Sequence, residues 1–532
     1  MRILRLLAIA VAAAAWMGCA APPPRHANEV QLAFYSDPSS LSLIGNGDAN
    51  SVQIASLISD GLLGYDAKGQ YVPLVARSWE FAPDGLSVVF HLRDGVSWQD
   101  GVPVTSRDVA YTARKIQDPA TQARTWAAQF ADIVAIETPD DATAIVRYSH
   151  PYADALAGWR APLVPQHLVE KDPDILTGAF SRAPVGCGPF RFSRRSPGQS
   201  IVLEAFDGYW GGRPSLDRLT FRILANERTG FEALLQGELD LMGVTPDLWR
   251  EALTSSRASR LARFVYFRLN GWKVDWNMDG SNPYFTDARV RRALVMALDR
   301  KRFASTIAGG LARPAVSSYQ PESPWFDQSL SPLPYDPAEA ARLLDAAGWT
   351  RPPGRNVRER DGKPFAFTML IAAGSQEILD RIAAWTQQSL ADVGVAMTIE
   401  KVDPRALMER RKTHAFQAVM ASNSFDPIAD QFEIYHSSAR NGGMNYGGFS
   451  DAEVDRLVSE GRTTMDDARR REVYNRLQTR LFELQPISYL FQFAAPVLHD
   501  ADLLGVEPSP IGLMQFVPGP RAWHWKNVGA RP

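Results

Sequence analysis

Cysteine is nearly absent: Cys19 and Cys187 are the only two in 532 residues. If Cys19 is modified or removed with the amino terminus, no intrachain disulfide can form, and the fold must hold by packing alone. The eight histidines are scattered, with no two at the helical spacing of metal ligands. No His-Glu-x-x-His, Gly-x-Ser-x-Gly or Gly-x-x-x-x-Gly-Lys-Ser/Thr occurs, and no cysteine pair could hold zinc. These absences argue against metalloprotease, serine hydrolase and phosphate-loop chemistry, so no catalytic residue, metal or cofactor is expected. An excess of one charge is also missing. Lys and Arg number 57 against 59 Asp and Glu, a net of −2, which gives nucleic acid no basic field to meet. There is no internal repeat.

Long apolar runs are missing too, save one. Arg2 and Arg5 precede the stretch Leu6 to Met17, too short for a membrane span but suited to the core of a signal peptide. Removing these two arginines shifts the net charge to about −4. Gly18-Cys19 closes the run. The Pro-rich AAPPPRHANE that follows suits a solvated tether.

What is present is the composition of a soluble globular protein, 45% hydrophobic and 22% charged, on a chain long enough for two or three domains. The most informative stretch runs from Leu74 to Ile116. Three Asp-Gly pairs, at 84–85, 94–95 and 100–101, mark tight turns. Val88, Phe90 and Leu92 alternate with Val89, His91 and Arg93, which predicts a strand with one buried face. Thr105 and Asp108 form a capping box before a helix through Ile116. Further on, the pattern predicts a strand at Val30–Phe34, a helix over Ala49–Leu63 and a strand pair over Ile133–Tyr148. It adds a helix at Glu227–Leu235, a strand over Phe264–Asn270 and a helix capped by Thr286. The basic run Arg289 to Arg302 reads as a solvated helix surface. The helix within Tyr335–Trp349 has Asp336 as N-cap, Pro337 at its first position and Gly348 past its end. Phe365–Ala372, Glu377–Val393 and Val395–Val402 form a β-α-β unit with a parallel pair. Phe416–Met420 is a further strand. Helices at 453–462 and 469–484 lead to a returning strand, Ile487–Phe493.

Several blocks carry a resemblance. LVARSWEFAPDGLSVVFHLRDGVSWQDGVPVTSRDVAYT is similar to the signature of the extracytoplasmic solute-binding proteins of peptide/nickel-type ABC transporters, solute-binding protein family 5. So are APVGCGPFRF at 183–192, with Cys187 where the family usually has threonine, and DGYWGGRPSLDRLTFRI at 207–223. NPYFTDARVRRALVMALDR and YDPAEAARLLDAAGW match as well. Gly186 and Gly188 are read as supplying backbone conformations that other residues resist. Cys187, with no Cys/His constellation around it, reads as a small buried residue.

The resemblance implies an α/β protein of periplasmic binding protein type II-like architecture, in three lobes with a two-strand hinge between lobes I and III. On this reading residues 1–18 are a signal peptide and 19–28 a tether. Residues 29–68, 183–269 and 487–532 make lobe I, 69–182 lobe II and 270–486 lobe III. The hinge is crossed near Leu269-Asn270 and Leu484–Pro486. The implied function is capture of a small extracytoplasmic ligand, a peptide or peptide-like compound, for delivery to the permease subunits of an ABC importer. The implied protein is a monomer. Separately, Gly18-Cys19 closing the apolar run resembles a lipobox and implies a lipid on Cys19, with Trp16-Met17 departing from the usual Leu-Ala/Ser; ordinary cleavage near Gly18-Cys19-Ala20 is the alternative. A nickel chelate, an opine or an oligosaccharide is the alternative ligand. A secreted hydrolase, an adhesin and a chaperone are rivals from other classes.

Candidate ligand residues follow from the same resemblance. Trp126 lies where peptide-binding relatives place a cleft aromatic, although a residue of its size equally suits the core. In QAVMASNSFDPIADQ, counting back from Pro427 puts Asn423 where those relatives have the aspartate that meets a ligand's α-amino group. A neutral Asn cannot give that charge-assisted bond, so Asp426 or Asp430 must substitute or the ligand must lack a free α-amine. Phe425 stands beside Asp426. Arg440 and Tyr446 sit in a Gly-rich loop similar to a cleft edge, and Asn46 in the turn Gly45–Asp48 completes the set.

Overall fold

The computed structural model describes residues 28–45, 48–172, 174–374, 377–424 and 427–526. Cys19, Asn46, Phe425 and Asp426 therefore lie outside the described residues, as does the whole amino-terminal apolar run. No helix among the described residues is long and apolar enough to cross a membrane.

Two sheets organise the chain. The larger follows the order 396–402, 366–372, 418–424, 270–276, 487–500, 241–243, 29–34, 218–223, 200–205, 190–196. Strands 261–267 and 312–314 also pair with 487–500. The smaller is an antiparallel sheet of strands 76–81, 87–92, 143–148 and 133–140. Its inner face follows from the alternation: Val88, Phe90 and Leu92 are buried, as are Ala144, Val146 and Tyr148 on the neighbouring strand. At about 25 cal/mol per Å² of apolar surface, such a face is the main reason the sheet is stable.

Local signals set most element ends. Thr105 and Asp108 form the expected capping box, with the Thr105 N–H donating to Asp108 Oδ2 at 2.9 Å, ahead of the helix Ser106–Gln117. The glycines of the three Asp-Gly turns take φ of 68°, 74° and 89°, where a side chain would be strained. Asp336 accepts from the Glu339 N–H at 2.9 Å, and the helix Pro337–Ala346 ends before Gly348. Strands 366–372 and 396–402 pair in parallel around the helix Glu377–Asp392.

Tertiary contacts shift several expected boundaries. The helix expected to reach Leu63 stops at Ile58, with Ser59 extended. The Ile58 carbonyl instead accepts from the Gly188 N–H at 2.8 Å and from Gln99 Nε2 at 3.0 Å, and Leu63–Tyr65 becomes a strand. The same contact corrects the reading of the two glycines, neither of which has a positive φ. A Cβ on Gly186 would stand 2.1 Å from the Ile58 carbonyl oxygen, and one on Gly188 2.8 Å, so close approach is what requires them. The strand expected over Phe264–Asn270 is two, Leu261–Phe267 and Asn270–Trp276, broken at Arg268-Leu269. Asp287, one residue later than expected, caps the helix Ala288–Met296. The strand expected over Ile487–Phe493 runs on to Asp500.

The basic helices are not wholly solvated either. Arg291 is buried and donates to the carbonyls of Leu484, Gln485 and Phe285, closing the end of the helix Asp467–Leu484. Arg300 is buried against the carbonyls of Ala315, Tyr489 and Leu333. Burial pushes both guanidinium groups down to about 10, which still leaves them charged at neutral pH.

One buried ion group underlies the strand Asn270–Trp276. Lys273 Nζ lies 2.6 Å from Asp275 Oδ1, and Arg411 Nη2 2.7 Å from Asp275 Oδ2. Burial alone would raise the Asp275 pKa, but the Lys273 and Arg411 charges outweigh it and hold the carboxyl below its ordinary range. Replacing Asp275 with Asn strands two buried cations, and is expected to cost about 3–5 kcal/mol in urea unfolding. A loss below about 1 kcal/mol, as an exposed pair would give, would contradict this account.

Candidate ligand-binding cleft

A cavity of about 370 Å³ opens where distant segments meet. Its wall takes Val52 and Ser56 from the helix Ala49–Ile58, then Asp60 and Tyr65. Trp126, Gln129 and Arg160 come from the segment packed on the small sheet. Arg268-Leu269 enter from the break between two strands, and Ser424 from the end of the strand Ala418–Ser424. The carboxy-terminal loop supplies Ile511, Met514, Phe516 and Arg521.

Asp60 fixes the base. It is buried and accepts from Tyr209 Oη at 2.8 Å, Trp210 Nε1 at 3.2 Å and Arg521 Nη2 at 2.5 Å. Burial raises its pKa, opposed by the Arg521 charge and the two neutral donors. With these donors satisfied, Asp60 is a tie between the helix end and the carboxy-terminal loop. Along the side wall, the Arg160 guanidinium lies 4.2 Å over the Tyr65 ring and 5.8 Å from that of Trp126. Such cation–π contacts hold an aromatic wall in place and contribute about 0.5–2 kcal/mol each. Cys187 sits behind, 3.6 Å from Ser59 Oγ, and burial pushes its thiol up to about 12. It is an inert core residue, as its sequence surroundings indicated.

The residues singled out from the sequence divide. Trp126 is in the cavity wall and is also part of the surrounding core. Asn423 pairs with Gly271 in the sheet, and its neighbour Ser424 reaches the cavity. Arg440 and Tyr446 do not line this cavity. Arg440 lies 3.6 Å from Asp279, and the Tyr446 ring packs under Arg411 at 4.2 Å. Among the described residues no group of three or more His, Cys, Asp and Glu could hold a metal ion.

Asp430, one possible anchor for an ammonium, is already engaged. Its carboxylate lies 3.1 Å from Arg462 Nε and accepts from the Phe432 N–H at 2.8 Å and Tyr152 Oη at 3.4 Å. Its own N–H donates to Asp154 Oδ2 at 3.0 Å, and Asp154 is in turn ion-paired with the buried Arg470. Arg462 also reaches Asp132 at 3.3 Å. Two carboxylates from segment 132–154 and one from 430 thus interleave with Arg462 and Arg470. This network locks the small-sheet unit to the helical segment 430–470. Burial, then the Asp154 charge, raises the Asp430 pKa, while Arg462 opposes both.

Sequence reasoning missed the carboxy-terminal loop, Arg268, and the pairing of Asp60 with Arg521. Nothing local marks them, because each acquires its place from residues more than a hundred positions away. Asp154→Asn should separate the two units: Arg470 would keep the Gly461 carbonyl but lose its countercharge. Small-angle scattering of the ligand-free variant is expected to give a larger radius of gyration than the parent. An unchanged radius would show that packing alone holds the units together.

The comparisons with known proteins agree with one another. The family model "Bacterial extracellular solute-binding proteins, family 5 Middle" matches residues 70–445. Protein XP55 of Streptomyces lividans is 30% identical over 494 residues, covering 90% of this chain and 87% of the relative. The oligopeptide-binding protein AppA of Bacillus subtilis, solved with a nonapeptide, superposes with a TM-score of 0.78 at 24% identity. That match covers 94% of this chain and 99% of AppA. NikA of Brucella suis, solved with Fe(III)-EDTA, gives a TM-score of 0.81 at 21% identity, covering 94% and 100%.

Proposed function

The chain belongs to the bacterial extracellular solute-binding proteins of family 5, and we propose that its cavity captures one small solute for an ABC importer. The observation that carries this reading is the cavity itself. Its wall takes residues from the spans 52–65, 126–160, 268–269 and 511–521, with Ser424 alone from 270–486, so a solute there would bridge segments far apart in the chain. The architecture is the type II-like α/β fold of periplasmic binding proteins.

In this reading residues 69–182 and 270–486 are lobes II and III, and the remainder of the described chain is lobe I. Closure bends the chain at Arg268-Leu269 and, beyond the expected Leu484–Pro486, within the strand Ile487–Asp500, whose pairing passes from Asn270–Trp276 to Leu261–Phe267, and solute stabilises the closed form. The protein is a binder without turnover, acting as a monomer with the importer's permease subunits. Peptides and peptide-like compounds are the first ligand class, because relatives such as AppA are named for oligopeptides; a metal chelate is the second, from NikA. Mass spectrometry of compounds co-purified with gently prepared protein identifies the solute. Adding it back to emptied protein should reduce the radius of gyration in small-angle scattering. Chemical conversion of that compound by the purified protein would refute the non-enzymatic reading.

The amino terminus supports an extracytoplasmic address. Residues 1–18 act as a signal peptide, and Cys19 becomes the acylated first residue, with 19–28 as its tether. Cys19→Ser is expected to move the protein from the membrane to the soluble fraction. An unaltered membrane fraction, with no lipid mass on the parent, would rule out the anchor.

A further inference from the structure

We propose that the solute carries a carboxylate or similar anionic group and that Arg268 is the residue that reads it. This rests on the solute-binding reading of the cavity. The backbone around Arg268 is fixed. Its carbonyl accepts from Gln492 Nε2 at 2.7 Å and from the Asn270 N–H at 2.8 Å, while the buried Leu269 donates its N–H to the Pro510 carbonyl at 2.8 Å. Its side chain is exposed in the cavity wall and makes no hydrogen bond or ion pair among the described residues.

The carboxylates among the described residues around it are spoken for. Glu322 takes both its oxygens to Arg313 at 2.6 Å and also accepts from Gln492 at 3.0 Å; Arg313 in turn stacks 4.1 Å over Phe267. Asp60, the one acidic residue in the described wall, is tied to Arg521. Arg160 is held against the Tyr65 ring. Arg268 is therefore the guanidinium in the described wall that the fold engages with no ion pair, hydrogen bond or aromatic ring among the described residues. A guanidinium losing its water as a cleft closes is costly unless an anion meets it. Its planar fork fits a carboxylate with two parallel bonds. A cationic end of a solute would gain nothing there. If Arg268 were only a solvated surface cation, its replacement would leave selectivity untouched.

The test uses mixed tetrapeptides in two forms, both N-acetylated, one with a free carboxylate and one C-terminally amidated. The full-length protein, emptied of solute, is equilibrated with an equimolar mixture, and retained compounds are counted by mass spectrometry. The acids should be enriched about 10-fold over the amides, the ratio that one charge-assisted pair worth about 1.4 kcal/mol supplies. Arg268→Gln should bring the ratio to about 1, with Arg268→Lys between the two. Thermal unfolding of all three proteins should coincide, because the side chain has no partner in the fold. Equal retention of both forms by the parent, or an enrichment that survives in Arg268→Gln, overturns the role of Arg268. Retention of neither form shifts the question to the co-purified solute. A co-purified solute that carries a carboxylate or similar anionic group and is lost in Arg268→Gln upholds the proposal; one that has no anionic group, or that Arg268→Gln retains as the parent does, overturns it while leaving the solute-binding reading intact. No retained or co-purified compound at all would overturn the solute-binding reading and this inference with it.

Discussion

One strand ties the molecule together. Ile487–Asp500 pairs with Asn270–Trp276 through its first residues and with Leu261–Phe267 and Leu241–Gly243 through its last. The large sheet is thus continuous, yet its partners change near residues 493 and 494. Two bodies joined by unbroken backbone hydrogen bonds can bend but cannot slide, because sliding would break a ladder that burial leaves no water to replace. The other route between them is the break at Arg268-Leu269, where the extended chain leaves one strand and enters the next. This second route lies in the cavity wall, and Gln492 of the long strand holds the Arg268 carbonyl at 2.7 Å, which couples the two.

Buried charge follows one rule through the molecule. Among the described residues several buried charges are paired, Asp275 with Lys273 and Arg411, Arg358 with Asp345, Arg470 with Asp154, while Arg291 and Arg300 are met by backbone carbonyls. Such groups add little net stability, since desolvation offsets the attraction, but they penalise any arrangement that separates them. The Asp154–Asp430–Arg462–Arg470 network extends the same logic across the contact between the small-sheet unit and the helical segment. The joined form must satisfy them all, which makes the contact specific in geometry.

Much of the local structure was legible in the sequence. The helix Pro337–Ala346 shows why: Asp336, Pro337 and Gly348 act within the element, through the first-turn N–H groups and the left-handed residue past its end. The boundaries that failed were set by distant groups. Ile58 ends its helix because Gly188 and Gln99 claim its carbonyl. Arg291 and Arg300 lie on helices whose pattern reads as solvated, yet both are drawn inward by bare carbonyls that need donors. No spacing rule encodes such a demand.

The cavity wall follows the same division. Trp126 could be marked from its surroundings in sequence, since a preceding loop and a resemblance pointed to it. Asp60, Arg268 and Arg521 could not, because their meaning lies in who pairs with whom. A carboxylate in a wall reads as a ligand anchor until Arg521 is seen on it, and Arg268 reads as an ordinary loop cation until Glu322 is seen committed to Arg313. Subtracting the pairs the fold makes for itself is what separates a recognition group from a structural one. That subtraction needs the tertiary structure, and in this wall it removes Asp60 and Arg521 while Arg268 remains.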